Sequence, residues 1–197
     1  MAPTGQATAP ALQDLLADGT LAGDWDLDAA KSAIGLRSKS MWGMAQVKGV
    51  FGQVSGHGTV SPAGGVTGAI TVAAASVDTK NSKRDTHLRS SDFFQVDDFP
   101  SITFSVEAIR PSGDGVTVTG KLTVRDRTRP VSFPATISVA GSGEVWFDAE
   151  IAVNRADFGL TWNLMGTVSM KNTLTIHAVF TVARAGEQTD KRPSGHR

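Results

Sequence analysis

The chain has 197 residues, 40% hydrophobic and 19% charged, which fits one folded domain with short tails rather than a disordered chain. Lys+Arg and Asp+Glu both total 19, so there is no global positive field to collect nucleic acid or an anionic membrane. Cysteine is absent, which excludes a disulfide framework and thiolate metal sites and suits a reducing compartment.

Residues 1–10 (MAPTGQATAP) have no basic n-region and no apolar h-region, so they do not read as a secretory signal; a disordered tail is expected. No run approaches the roughly 20 apolar residues of a membrane span. The expected location is therefore the cytoplasm. Residues 11–21 place Leu12, Leu15 and Leu16 at helical spacing, with Gly19 to end the turn. Such a short helix covers an apolar patch or plugs a barrel mouth, and the first is the plainer reading.

From residue 22 to 185 the dominant period is two. Ile102, Phe104, Val106 and Ala108 alternate with polar residues, as do Val116, Val118, Leu122 and Val124. Val131 through Val139, Val145 through Val153 and Leu174 through Val182 follow the same rule. Each strand thus has one apolar and one mostly polar face, unlike the continuous apolar runs of parallel sheets. Gly-rich breaks at Pro62–Gly65, Pro111–Gly115 and Ala140–Gly143 read as hairpin connections. Glycines within Val47–Val60, and Gly120, mark bends or close backbone approach. Long, one-sided strands favour an all-β antiparallel barrel, which about eight strands would close around either a packed or a ligand-holding interior. Residues 186–197 read as a second disordered tail.

One segment breaks the period. Asp78–Phe99 is charged and polar, with Phe93, Phe94 and Phe99 as apolar anchors. Asn81 is placed to cap a helix reaching Leu88, and Ser90 or Ser91 a second turn. The spacing predicts a helical crossover near residues 81–95, lying over the wall or mouth of the barrel.

That segment resembles the YceI-like family of polyisoprenoid-binding proteins. The string is Asn81-x-x-Arg84-Asp85-x-His87-Leu88-Arg89-Ser90-x-Asp92-Phe93-Phe94, continuing into Pro100-x-Ile102-Thr103-Phe104. Val47-x-Gly49-x-Phe51, Gly120-x-Leu122-Thr123-Val124, Thr128-x-Pro130-Val131 and Asn154-Arg155-x-Asp157-Phe158-Gly159 resemble further family blocks in order. The resemblance spans roughly Ala22–Ala185. It implies a lipocalin-like barrel whose interior binds isoprenoid or related lipid chains, including quinone-like molecules, without catalysis. Members often pair, so a homodimer is among the assemblies it implies. One block departs from the pattern. The family usually has H-S-x-I-x-F followed by a basic residue and His, whereas this chain has Lys31-Ser32-Ala33-Ile34-Gly35-Leu36 and then Lys39-Ser40-Met41.

An apolar interior binds a long chain because each buried methylene contributes roughly 0.8 kcal/mol. The expected lining is Met41, Trp42, Met44, Phe51, Phe93, Phe94, Phe104, Phe158, Trp162, Leu164, Met165 and Met170, since methionine and aromatics adapt to apolar ligands. Arg84, His87 and Arg89 are the candidate headgroup contacts; the structural alternative for them is capping and ion pairing, which the same residue types serve equally well. There is no G-x-S-x-G, and the cluster Ser82, Asp85, His87 is too local to argue for catalysis. The histidines His57, His87, His177 and His196 are too scattered to argue for a metal. The expected partner is therefore a long apolar small molecule, with no cofactor and no nucleic acid. The competing reading is a filled barrel acting as a structural or interaction module.

Overall fold

A computed structural model describes residues 9–40, 44–140, 143–163 and 168–183. In chain order these form α1 (Ala9–Ala17), β1 (Gly23–Leu27), β2 (Ala33–Ser40), β3 (Ala45–Phe51), β4 (Val54–Val60), β5 (Val66–Ala73), β6 (Val77–Asp78) and α2 (Ser82–Arg89). The long strands follow: β7 (Ser101–Ser112), β8 (Gly115–Val124), β9 (Arg127–Ala140), β10 (Glu144–Asn154) and β11 (Val168–Val182).

Every pairing is antiparallel. The sheet closes because β11 pairs with β2 along Val168–His177 and with β1 along Phe180–Val182. β1 and β2 make one interrupted stave, as do β3 with β4 and β5 with β6. With β7 to β11, these give a closed barrel of eight staves. β9 pairs with β8 through residues 127–135 and with β10 through residues 135–140. That stagger is the shear that tilts strands and lets a sheet close.

The two-residue period becomes an inward apolar face. Along β8, Val116, Val118, Leu122 and Val124 are all buried while Lys121 is exposed. Gly120 completes that inward series without a side chain. A Cβ there would lie 2.2 Å from the Ser105 carbonyl oxygen and 2.7 Å from the Phe104 ring. A bulge at Glu107 shifts the β7–β8 register beside it, and Phe104 lies over the glycine, 5.3 Å from the Phe133 ring.

Some boundaries differ from the sequence reading. α1 begins at Ala9 and ends at Ala17, so residues 9 and 10 belong to the helix rather than the tail. Proline suits a first helical turn, whose N–H has no intrahelical acceptor. Pro111 lies inside β7, which tightens the following turn to Gly113-Asp114, with Gly113 at φ +59. The β8–β9 turn, Arg125-Asp126, has no glycine to announce it. Arg125 sits at φ 56 because its guanidinium is held, donating to Gln95 Oε1 at 2.6 Å and to the Phe93 carbonyl at 3.3 Å. The expected tail 186–197 lies outside the described residues.

The wall has a gap beside β6. β5 pairs with β7, but β7 starts at Ser101 opposite Ala73, so the short continuation through β6 has no strand on that side. Helix α2 fills it with side chains. Arg89 donates from Nε to the Ala75 carbonyl at 2.7 Å and from Nη2 to the Val77 carbonyl at 2.8 Å. Arg84 Nη2 donates to the Thr79 carbonyl at 2.9 Å, and the Thr79 N–H donates to Asp85 Oδ1 at 3.0 Å. Residues 77 and 79 alternate as the edge-facing positions of an extended chain must, and Ala75 lies in the 3-10 turn Ala74–Ser76 just before it. Asn81 caps the helix as predicted, accepting from the Arg84 N–H at 3.0 Å.

Two outcomes follow. Gly120→Ala drives a methyl group into Phe104 and the β7 backbone, and is expected to cost about 1–3 kcal/mol or more in urea unfolding; a loss within about 0.5 kcal/mol would contradict that close approach. Arg89→Met keeps the stem but removes the donors. It should accelerate amide exchange in β6 and α2 selectively, with about 1–3 kcal/mol lost from the carbonyls left unmet.

Candidate functional site

The barrel interior is not filled. An apolar cavity of about 280 Å³ lies between the inward faces of the strands and the α2 end of the barrel. Leu36, Val72, Ile102, Leu122, Ile151 and Leu174 form much of its wall. A smaller cavity of about 110 Å³ lies at the other end, where Leu12 and Leu16 of α1, Leu21 and Trp25 line it. Ile70 and Phe104 border both cavities, so the Phe104 ring seated on Gly120 stands at the partition.

The α2 end is built from three segments. α2 supplies Arg84, His87 and Leu88; the turn after it supplies Phe93 and Phe94; the 3-10 turn at Arg155–Phe158 and the chain to Trp162 supply the rest. Their rings pack together: His87 lies 4.3 Å from Trp162 and 5.2 Å from Phe93, and Phe51 lies 6.2 Å from Phe94. Edge and tilted contacts of this kind suit aromatic quadrupoles. His87 Nδ1 stands 3.9 Å from the Asp92 carboxylate, and its Nε2 is buried without a hydrogen-bond partner.

The expected lining residues separate clearly. Phe51, Phe93, Phe94, Phe104, Phe158 and Trp162 all border the larger cavity, as do Arg84 and His87. Met44 does not: it is 77% exposed at the start of β3. Met170 sits in the irregular stretch between Val168 and Asn172, where the ladder to β2 shifts, and does not border the cavity. Arg89, expected at the headgroup, is not part of the lining because its guanidinium is spent on the β6 edge. Met41, Trp42, Leu164 and Met165 lie outside the described residues. Asp85 and His87 do not form a catalytic pair, since Asp85 is buried on the Thr79 N–H and hydroxyl, at 3.0 and 2.6 Å.

One charged lining residue went unassigned in the sequence. Arg155 is 5% exposed, and burial holds its guanidinium below the usual arginine range. It donates from Nη1 to the carbonyls of Leu160 at 3.2 Å and Trp162 at 2.7 Å, and from Nε to that of Ser169 at 3.1 Å. Its signal was the Asn-Arg-x-Asp-Phe-Gly string itself. Asn154 caps the turn by accepting from the Ala156 N–H, and Gly159 ends it at φ +75, so Arg155 is fixed pointing inward.

Similar proteins share this architecture. The crystal structure of Burkholderia cenocepacia BcnA superposes with a TM-score of 0.71 at 26% identity, over 78% of this chain and 98% of that one. A Campylobacter jejuni YceI protein gives a TM-score of 0.62 at 27% identity, over 69% of this chain and 85% of that one. A polyisoprenoid-binding domain from Saccharophagus degradans, implicated in plant cell wall breakdown, has the same fold at 15% identity, with a TM-score of 0.66 over 81% of this chain and 98% of that one. Protein YceI of Salmonella arizonae is 35% identical over 113 residues, which are 54% of this chain and 58% of that protein. The chain thus spans little more than half the length of the curated relatives it matches. The model of the YceI-like domain matches residues 25–180, nearly the whole barrel from within β1 to within β11, and the chain belongs to that family.

Proposed function

We propose that this barrel binds a long apolar chain, an isoprenoid, an isoprenoid quinone or a similar lipid, in its interior, for carriage or storage. The observation that carries the reading is the 280 Å³ apolar cavity, the larger space inside the barrel beside the 110 Å³ one at the α1 end. Small-molecule sites generally run about 300–1,000 Å³, and apolar voids of this kind stay dry until an apolar ligand enters. A barrel acting only as a structural module has no use for such a void, which forfeits packing energy along its whole lining. The polyisoprenoid-binding description of the Saccharophagus degradans domain points the same way. The polar end of the ligand belongs at the α2 end, beside His87 and Arg84, because the far end is closed by α1 and is entirely apolar in its deep lining.

A chain in this site gains about 0.8 kcal/mol per buried methylene, which is about fourfold in affinity. Titration with a homologous series of alkyl and prenyl chains should therefore show a steep rise, then a break at the length that fills the larger cavity. Organic extraction of the purified protein followed by mass spectrometry should release a lipid. No extracted lipid together with no saturable binding would overturn the proposal. Phe104→Ala joins the two cavities: it should move the break to longer chains, at a stability cost of about 3–5 kcal/mol. An unmoved break would remove Phe104 from the partition.

A further inference from the structure

Arg155 has features that holding a turn together does not require. A guanidinium carries five N–H donors and stays protonated under all ordinary conditions. Arg155 spends donors on three carbonyls, yet its Nη2 is buried with no hydrogen-bond partner. Its Cζ lies 5.4 Å from the Phe93 ring centroid, so the cation rests on an aromatic face that also borders the cavity. None of the ion pairs among the described residues includes it.

The carboxylates of the neighbouring elements are spent elsewhere or face water. Asp85 accepts from Thr79, whose hydroxyl in turn accepts from Arg84 Nε at 2.7 Å, so the charge of Arg84 is answered through that hydroxyl. Asp92 is exposed and stands beside His87 Nδ1, and Asp157, in the same turn as Arg155, is exposed. Carbonyl dipoles solvate the Arg155 cation but do not neutralise it. A buried cation without an anion is costly, and the cost is recovered when a ligand supplies the anion. The buried, unpartnered Nε2 of His87 borders the same cavity and offers a second contact.

We propose that Arg155 is the anchor for an anionic head, a carboxylate or a phosphate, on the apolar chain held in the barrel. This rests on the reading of the interior as a chain site and narrows it, because a neutral alcohol or quinone head leaves the Arg155 charge unanswered. Hydrogen bonds between arginine and such oxygens are charge-assisted and stronger than neutral ones.

The test pairs each anion with its neutral counterpart on the same chain: farnesyl phosphate with farnesol, and hexadecanoate with hexadecanol. Binding is followed by calorimetry on the whole chain. The expected result is a preference for at least one anion of about tenfold or more over its alcohol. The pair that shows it identifies phosphate or carboxylate as the head. Arg155→Gln should abolish that preference while leaving the alcohol within about threefold, and Arg155→Lys should retain part of it. Equal binding of anion and alcohol by the unaltered protein overturns the anchor and leaves the chain site standing. An Arg155→Gln variant that loses both ligands equally also overturns it, since a purely structural clamp predicts that pattern. Should Arg155→Gln fail to fold, the paired affinities of the unaltered protein and of Arg155→Lys decide. Failure of every chain to bind overturns the interior reading and the anchor together.

Discussion

The structure depends on how the barrel wall is finished where a strand is missing. A sheet edge cannot be left as bare N–H and C=O groups against an apolar interior, because each unmet group costs as much as a lost hydrogen bond or more. On the side of β6 away from β3 there is no neighbouring strand, and three charged residues of α2 stand in for one: Arg84 and Arg89 supply donors, and Asp85 supplies the acceptor. The substitution is local and strong, because charge-assisted hydrogen bonds exceed neutral ones. It also removes these three side chains from competition with water, which gives a helix as polar as α2 a fixed seat.

That seat determines which residues border the larger cavity. With α2 pinned along β6, His87 and Leu88 face the interior, and the turn beyond carries Phe93 and Phe94 over the cavity. Arg125 and Gln95, both at positive φ and hydrogen-bonded to each other at 2.6 Å, tie that turn to the β8–β9 hairpin. Each unfavourable backbone conformation costs roughly 1 kcal/mol and persists because the surroundings over-determine it. The cavity is thus bordered at this end by a polar framework on the outside and an aromatic layer on the inside. The opposite end is closed by ordinary apolar packing of α1.

The fold was legible in the sequence because a barrel's wall obeys a strict two-residue period, and Val116, Val118, Leu122 and Val124 announce their burial by it. Phe51 and Phe104 border the cavity for the same reason, falling on inward positions of regular strands, whereas Phe93, Phe94, Phe158 and Trp162 reach it from turns that the period does not describe. Methionine was misleading. Met44 combines the right chemistry with a hairpin-end position, where the period no longer dictates a face, and it points to water. The charged residues were least legible. Arg84, Arg89 and Arg155 have the same side chain, yet one answers a strand edge, one shares its charge with Asp85 through Thr79, and one is buried with a donor to spare. Composition and spacing do not separate these cases, because the difference lies in which carbonyls happen to be nearby in space.

The departure from the family pattern at the early block bears on this asymmetry. Lys31, standing where the family usually has histidine, is exposed on the barrel exterior and pairs with Glu144 and with Asp28. Ser32 beside it is structural, donating to the Asp28 carbonyl at 2.7 Å and accepting from the Val179 N–H at 3.0 Å. The change at Lys31 therefore alters the outer surface, whereas Leu36, standing where the family usually has phenylalanine, borders the cavity. What a bound head would meet is set instead by the crossover and by the turn at Arg155. There the two guanidinium groups that border the cavity differ: Arg84 is linked to Asp85 through the Thr79 hydroxyl, whereas Arg155 has no anionic partner among the described residues. On the reading proposed above, an anionic head on the bound chain would supply that partner in a low-dielectric interior, where solvent does not screen the charge.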